Sequence, residues 1–474
     1  MLKFTTADQK RPPKRSSKVR RADWSEVYED FINDDAHKQS ARCSQCGVPF
    51  CQIHCPLSNN IPDWLMLTAA GRIKEAYEVA SATNNFPEIC GRICPQDRLC
   101  EGSCVIEKGF QSVTIGAVEK HITDTAFQND WVKPIAPLIE RKESIGIIGA
   151  GPAGLAAAEM LRQRGYQVVV YDRYDRVGGL LIYGIPNFKL EKEIVSRRAN
   201  LAQDSGIHFE LNFEVGRDAS LEELRNHHNA LLIATGTYAA SDLKIPGAKK
   251  KNVIQALEYL TASNRKGLGD SVPAFENGEL NAANRDVIVV GGGDTAMDCV
   301  RTAVRQHASS VTCLYRRDKH NMPGSMQEVG HAEEEGVKFI WLSSPEEFLG
   351  SREVNSVKFS KVHLGIIDAS GRQSPKLIEG SSENIKANMI ISALGFNAED
   401  LPTNFSAPDL KITRWGNLAI NWSTMMTSIE GVFAAGDIVR GASLVVWAIK
   451  DGREAADSIH RYINSPTQVL DVAS

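Results

Sequence analysis

A chain of 474 residues, 42% hydrophobic and 24% charged, has ordinary globular composition and length for two or three domains. Its net charge of -4 gives no overall attraction to nucleic acid or to an anionic membrane surface. No apolar run approaches the roughly 20 residues of a spanning helix, and Met1 to Arg21 lacks the apolar stretch of a secretory signal. A cytoplasmic protein is expected, with neither nucleic acid nor membrane as partner.

Residues 1–21 carry eight Lys and Arg against one Asp, with Pro12 and Pro13 in their midst, which reads as an extended arm, solvated or in contact with a partner. From Trp24 to Trp131 the pattern is helical with short loops, as where Ile61-Pro62-Asp63-Trp64 runs into Leu65 to Ala80. Eight of the ten cysteines lie here, between Cys43 and Cys104, and only Cys299 and Cys313 fall elsewhere. In a reducing compartment such crowding favours metal ligation over disulfides. Cys43-x2-Cys46-x4-Cys51-x3-Cys55-Pro56 is close to a ferredoxin run, and Cys90-x3-Cys94-Pro95 and Cys100-x3-Cys104 follow. Short spacings let one loop wrap a cubane while a distant thiolate closes it. Structural zinc is the competing use, but it favours two CxxC pairs and only Cys43/Cys46 has that spacing.

Pro134 and Pro137 mark a linker, and strands, glycine turns and helices alternate from Ile145 onward, as in an α/β fold. The strand Ile145–Ile148 leads into Gly149-Ala150-Gly151-Pro152-Ala153-Gly154 and a helix from Leu155 to Arg164. A second strand, Val168–Tyr171, ends on Asp172. This is the setting in which glycines bring backbone against a pyrophosphate and a carboxylate meets free ribose hydroxyls, as in FAD. A second opening, the strand Asp286–Val290 before Gly291-Gly292-Gly293-Asp294-Thr295-Ala296, is followed by a strand, Val311–Tyr315, that ends on Arg316 and Arg317. Two guanidiniums suit the 2′-phosphate of NADPH; solvated surface arginines are the alternative. Gly431 to Asp437 reads as a short strand whose Asp437, after Gly436, accepts from flavin-chain hydroxyls.

With Ala234-Thr235-Gly236 and Ala393-Leu394-Gly395, this order resembles the two-dinucleotide-fold flavoprotein reductases, in which the NADPH domain is inserted within the FAD domain. Neither fold contains a redox CxxC, and Cys299 and Cys313 read as core residues. The expected architecture is α/β: a helical iron–sulfur domain over 1–141, an FAD-binding domain over 142–255 and 400–474, and an NADPH-binding domain over 256–399. The expected dinucleotide contacts are Gly149, Gly151, Gly154, Asp172, Gly179, Thr235, Gly236, Gly436 and Asp437 in the first fold. In the second they are Gly291, Gly293, Asp294, Thr295, Arg316 and Arg317.

Pro12-Pro13-Lys14-Arg15, the cysteine groups, Gly178-Gly179-Leu180-Leu181-Ile182-Tyr183-Gly184-Ile185-Pro186, Gly291 to Asp294 and Gly441 to Ile449 together resemble the small (beta) subunits of NADPH-dependent bacterial glutamate synthase. The same module is similar to the N-terminal part of dihydropyrimidine dehydrogenase and to subunits of electron-bifurcating transhydrogenases. The resemblance implies one [4Fe-4S] cluster on Cys43, Cys46, Cys51 and Cys104. It implies a second on Cys55, Cys94 and Cys100, with Glu119 as fourth ligand where the dehydrogenase has glutamine, and Cys90 spare; Glu119 as an ordinary surface acid is the alternative. It also implies hydride transfer from NADPH to FAD and single-electron export through the clusters. The acceptor would be a large (alpha) subunit that carries FMN, a [3Fe-4S] cluster and the glutamine amidotransferase, and makes two glutamates from 2-oxoglutarate and glutamine. Leu2 follows Met1, so the amidotransferase cysteine is not expected here. Hydride transfer needs no protein acid or base, so no catalytic residue is expected, and His121, His208 and His331 read as surface or core groups. A related subunit with another acceptor, and a non-enzymatic metal-binding module, are the rival readings.

Overall fold

The computed structural model describes residues 1–367 and 373–465. Residues 466–474, placed by the sequence in the last part of the FAD-binding domain, lie outside the described residues. The N-terminal part contains α1 (Asn33–Ser40), α2 (Ile61–Ala69), α3 (Ile73–Thr83), α4 (Pro87–Ile93) and α5 (Ile115–Gln128). Pro62 and Pro87 stand in the first turns of α2 and α4, where no intrahelical N–H is needed. The helical stretch read from Ile61 to Ala80 is two helices. Gly71 adopts φ +75°, and the Arg72 N–H reaches back to the Leu67 carbonyl, closing α2 with a left-handed cap. Trp64, Leu65, Ala76, Ala80, Val118 and Ile122 form the buried centre of this helical unit.

The chain then forms β1 (Ser144–Ile148), α6 (Pro152–Gln163), β2 (Gln167–Asp172), α7 (Lys192–Asp204), β3 (Ile207–Leu211), β4 (Ala230–Ile233), β5 (Val253–Gln255), α8 (Ala256–Gly267), β6 (Asp286–Val290), α9 (Asp294–Arg305), β7 (Ser310–Leu314), α10 (Met326–Glu334) and β8 (Lys338–Ile340). After these come β9 (Ser343–Leu349), β10 (Ser356–Ile367), β11 (Gln373–Leu377), β12 (Glu383–Lys386), β13 (Met389–Ser392), β14 (Val432–Ala434) and α11 (Val445–Ile463).

Two parallel sheets share one plan. The first has the order β14-β4-β1-β2-β3 and the second β5-β13-β6-β7-β8. In each, the strand that feeds the glycine turn lies at the centre, and its apolar residues are buried on both faces, as in Ile145, Ile147 and Ile148 or Val287 to Val290. Because β14 returns to the edge of the first sheet after the second is complete, the second fold is an insertion in the first. Val253–Gln255, expected to close the first unit, instead pairs with β13 as the edge of the second sheet. An antiparallel sheet, β9 to β12, which the sequence did not announce, follows β8. Its Val357 and Phe359 face the core, while Lys358 between them stays partly exposed.

The basic arm is not a free tail, and here the expectation is corrected. Leu2 and Lys3 donate to the carbonyls of Cys43 and Ala41, and Arg11 pairs with Glu101 at 2.7 Å. Lys14 and Arg20 both reach Glu334, each at 2.6 Å. The surplus positive charge finds its partners at the acidic end of α10, some 300 residues away in sequence. There Glu335, fully buried, accepts from Arg301 at 2.9 Å and from Arg305 at 2.7 Å, with Arg20 at 3.3 Å. Burial by itself would raise this carboxyl; the hydrogen bonds and charges of Arg305 and Arg301 outweigh it and bring the pKa down to about 2.

Glu335→Gln should therefore cost about 3 kcal/mol at neutral pH, because it leaves buried Arg305 without a carboxylate, whereas Arg301 keeps Glu328. With a folded pKa below the unfolded value of about 4.3, the contribution of Glu335 is complete above that pH and fades as pH falls toward 2. Urea midpoints of both proteins at pH 7 and pH 3 check this: the gap should narrow at pH 3, and an equal gap would mean that ionisation of Glu335 is not its source.

Candidate functional site

The two glycine turns are built alike. Gly149 has φ +114° and Gly291 φ +149°, and a Cβ on either would strike a carbonyl oxygen, that of Ala234 at 2.4 Å or that of Ala393 at 2.2 Å. The Ala-Thr-Gly and Ala-Leu-Gly segments thus cross directly beside the turns. At Gly151 and Gly293, the residues before α6 and α9, a Cβ would meet nothing within 4 Å, so each opens onto a cradle at a helix N-terminus. Gly154 is different: its Cβ would lie 1.9 Å from the Gly149 oxygen, so its absence lets helix and strand pack. Both cradles sit at the carboxyl ends of central strands, where open α/β sheets bind ligands.

Around the first cradle, Gly178 donates to the Ala150 carbonyl, and Gly179, at φ +54°, lies with its would-be Cβ 3.0 Å from the Gly151 Cα. Gly436 packs against Ala153, which brings Asp437 to the start of α6. Burial, reinforced by nearby Asp451, lifts the Asp437 carboxyl to about 7, although the Ser443 N–H and Arg440 oppose the rise. Asp172 also does local work: its two oxygens accept from the Ala150 N–H at 2.7 Å and the Tyr174 N–H at 2.9 Å, tying β2 to the turn. Burial raises this carboxyl and the two N–H bonds counter it. Thr235 Oγ1 is buried without a partner, and Gly236 beside it has φ +73°. A wall unforeseen from sequence completes the cavity. Arg173 forms a bidentate pair with Glu399 at 3.0 Å and lies over the rings of Tyr174 and Tyr238.

At the second cradle, Asp294 accepts from the Ser325 N–H at 2.9 Å, and Gly324 donates to Gly292, so the 322–325 segment closes over the turn. Thr295 follows, half-buried, in the first turn of α9. Arg316 is exposed beyond β7, and Arg317 has a buried Nε without a partner. Cys299 and Cys313 are both wholly buried in the core of this sheet.

The N-terminal cysteines form two neighbouring groups. Cys43 and Cys51 have thiols pushed up, Cys51 to about 12, by burial first and then by the thiols of Cys104, Cys43 and Cys46 around them. Gln45, at φ +51°, turns its backbone and side-chain N–H groups onto Cys43 Sγ at 3.4 and 3.3 Å. Cys55, Cys94, Cys100 and Glu119 line a separate cavity, and Cys90 lies in it too, against Cys94. Among the described residues no three His, Cys, Asp or Glu side chains gather closely enough to hold one metal ion; the second group stands around its cavity instead. Glu119 is buried, not a surface acid. Asn59 and Asn84 both donate to its Oε1, at 3.1 and 3.2 Å, leaving Oε2 for the cavity. Burial lifts its pKa to about 8 against the pull of these amides.

The second cavity abuts the first dinucleotide fold. Val446 of α11 lines it, and Leu57, Phe86, Ile89 and Cys90 pack with Leu155, Leu181, Ile182 and Ile449 in one apolar cluster. The Cys94-Pro95 loop also touches the second fold, where Arg98 donates to the Pro323 carbonyl beside the closing segment.

Comparison with known proteins agrees with this layout. A family described as dihydropyrimidine dehydrogenase domain II, 4Fe-4S cluster, matches residues 20–131, and one described as pyridine nucleotide-disulphide oxidoreductase matches residues 143–452. The glutamate synthase [NADPH] small chain of Azospirillum brasilense is 62% identical over 469 residues, covering 99% of this chain and 97% of its own. That of Escherichia coli (strain K12) is 42% identical over 457 residues, covering 95% and 96%. FprA of Mycobacterium tuberculosis, in a structure with NADPH, shares the fold at a TM-score of 0.60 and 19% identity, covering 70% of this chain and 86% of FprA. Among the described residues no helix is long and apolar enough to cross a membrane. With an iron–sulfur module before a two-dinucleotide-fold reductase, and relatives of this identity along nearly its whole length, the chain belongs to the family of NADPH-dependent glutamate synthase small chains.

Proposed function

We propose that this chain oxidises NADPH at the second cradle and sends the electrons through FAD on the first cradle and two [4Fe-4S] clusters to a glutamate synthase large subunit, for glutamate formation from 2-oxoglutarate and glutamine. The observation that carries this reading is the shared apolar wall between the first dinucleotide fold and the second cysteine cavity, because a flavin held in the one and a cluster held in the other would lie on opposite sides of one packed layer. When bound, FAD supplies the conversion of a two-electron hydride into single electrons, which clusters accept one at a time.

The residues present fit these groups. In the first fold Gly149, Gly151, Gly154 and Gly179 would cradle the FAD pyrophosphate, with Asp172, Thr235, Gly236, Gly436 and Asp437 toward its hydroxyl-bearing parts. The partnerless Thr235 Oγ1 supports a ligand there. In the second, Gly291, Gly293, Asp294 and Thr295 would hold NADPH, with Arg316 and Arg317 on its 2′-phosphate; the partnerless Arg317 Nε supports this. Cys43, Cys46, Cys51 and Cys104 would hold one cluster, and Cys55, Cys94, Cys100 and Glu119 the other, with Asn59 and Asn84 orienting the carboxylate. Cys90 lines that cavity without a ligand role. Val48, Phe50 and Ile53, exposed by 58, 47 and 58%, and Val105 and Phe110 stand beside the first group, and an apolar rim of this kind suits contact with the large subunit.

Gly151→Val should leave the fold intact yet yield flavin-free protein, since the new side chain meets only the cradle; Gly154→Ala should lose the flavin and stability together, since its Cβ meets backbone. Full flavin occupancy in Gly151→Val would contradict the assignment of the first cradle. Replacing both Arg316 and Arg317 by Ala should raise KM for NADPH by about tenfold or more, as expected for lost charge-assisted bonds, with little change for NADH. An equal loss with both donors would remove these arginines from the phosphate site. The purified chain should reduce artificial one-electron acceptors with NADPH but form no glutamate until the large subunit is added, and substantial glutamate formation by the chain alone would refute the division of labour.

A further inference from the structure

Arg42, the residue immediately before Cys43, is completely buried. Its guanidinium donates only to main-chain carbonyls: Ala7 from Nε at 3.0 Å, Ser112 from Nη1 at 2.6 Å, and Phe110 and Gln111 from Nη2 at 2.5 and 2.9 Å. The other buried arginines each meet a carboxylate: Arg20 meets Glu334, Arg198 Glu88, and Arg301 and Arg305 share Glu335. Arg42 forms no such pair among the described residues. The ionisable groups that act on it are the Cys104 thiol first and exposed Asp8 second.

A buried cation with no counter-anion is costly, and a guanidinium does not escape the cost by losing its proton. Carbonyl dipoles solvate the charge but do not cancel it. Cys43 follows Arg42 in the chain and Cys104 is the thiol that acts on it; as ligands of a [4Fe-4S] cluster these thiolates would belong to a net anion. The arm seals this arrangement: Ala7 accepts from Arg42, Gln39 holds the Asp8 carbonyl at 3.0 Å, and Leu2 and Lys3 bond to Cys43 and Ala41. In a dry site the field of one charge acts on its neighbour with little screening.

The second cavity has no comparable cation. Among the described residues no Lys or Arg lines it, Glu119 as a ligand adds no more charge than the thiolate it replaces, and Glu101, beside Cys100, is already matched by Arg11. We propose that Arg42 is the counter-charge of the cluster on Cys43, Cys46, Cys51 and Cys104, and that it holds the reduction potential of this outer cluster above that of the cluster on Cys55, Cys94, Cys100 and Glu119. Added electron density is favoured beside the cation, so electrons entering from the flavin side run downhill to the outer group. The proposal rests on the ligand sets given above.

The test is a redox titration of the holoprotein, followed by electron paramagnetic resonance, for wild type, Arg42→Gln and Arg42→Lys, with iron and flavin measured on each. In Arg42→Gln the higher of the two cluster potentials should fall by at least the 59 mV that corresponds to a tenfold change in a one-electron equilibrium, and Arg42→Lys should keep most of the wild-type value. If Arg42→Gln cannot retain the outer cluster, its iron should drop to about four per chain, one cubane's worth, with flavin retained, while Arg42→Lys keeps both clusters; that outcome also assigns the effect to charge. An unchanged potential in Arg42→Gln, or an equal loss in Arg42→Lys, overturns the role of Arg42. Wild-type protein without iron would overturn the ligand sets themselves, so the two failures are told apart.

Discussion

The apolar layer between the cysteine unit and the first dinucleotide fold is the contact on which the rest depends. Phe86, Ile89 and Leu57 on one side and Leu155, Leu181 and Ile449 on the other are buried together, so the two units cannot separate without exposing a large hydrophobic surface. Val446, at the start of α11, reaches through this layer to the wall of the second cysteine cavity. One-electron transfer needs a short, fixed separation more than it needs any acid or base. A packed layer provides that; a flexible linker would not.

The same economy appears in the two cradles. Each central strand ends in a glycine that no side chain could replace, because a neighbouring carbonyl occupies the Cβ position, and each helix begins at a glycine that faces open space. One glycine serves the protein's own packing and the other leaves room for a ligand. What distinguishes the cradles lies at the end of the following strand: buried Asp172, engaged with backbone N–H groups, in one, and exposed Arg316 with Arg317 in the other. Around them, ionic contacts hold the units in register. Lys189, shortly after the Gly178–Pro186 segment of the first fold, pairs with Asp298 of α9 at 2.9 Å, and the arm crosses from the Cys43 loop to α10.

Sequence reveals what depends on local spacing. The glycine turns and the strands that feed them are each written within a few tens of residues, and the structure forms them as expected; the cysteine groups are equally local in sequence. Long-range pairings are not legible. The arm's charge run says nothing of Glu334, and its extended look suggests solvent or a partner. Glu119 can be read from sequence as a ligand or as a helix-surface acid, because the asparagines that bond to it come from two other segments. Gly71 ends a helix that composition alone would continue, since left-handed capping depends on one φ angle. Asp172 reads from sequence only as a ribose acceptor, whereas its carboxylate also ties the turn through the Ala150 N–H. Arg42 carries no signal at all, because nothing in a sequence shows that an arginine lacks a carboxylate.

The proposed electron path turns on the cysteine groups binding iron–sulfur clusters in line with a flavin. Metal analysis and the visible spectrum of anaerobically purified protein test it most directly. About eight non-haem irons per chain are expected, as two cubanes require, together with one flavin, and bleaching of both chromophores by NADPH. Zinc in place of iron, or a colourless protein, would contradict it.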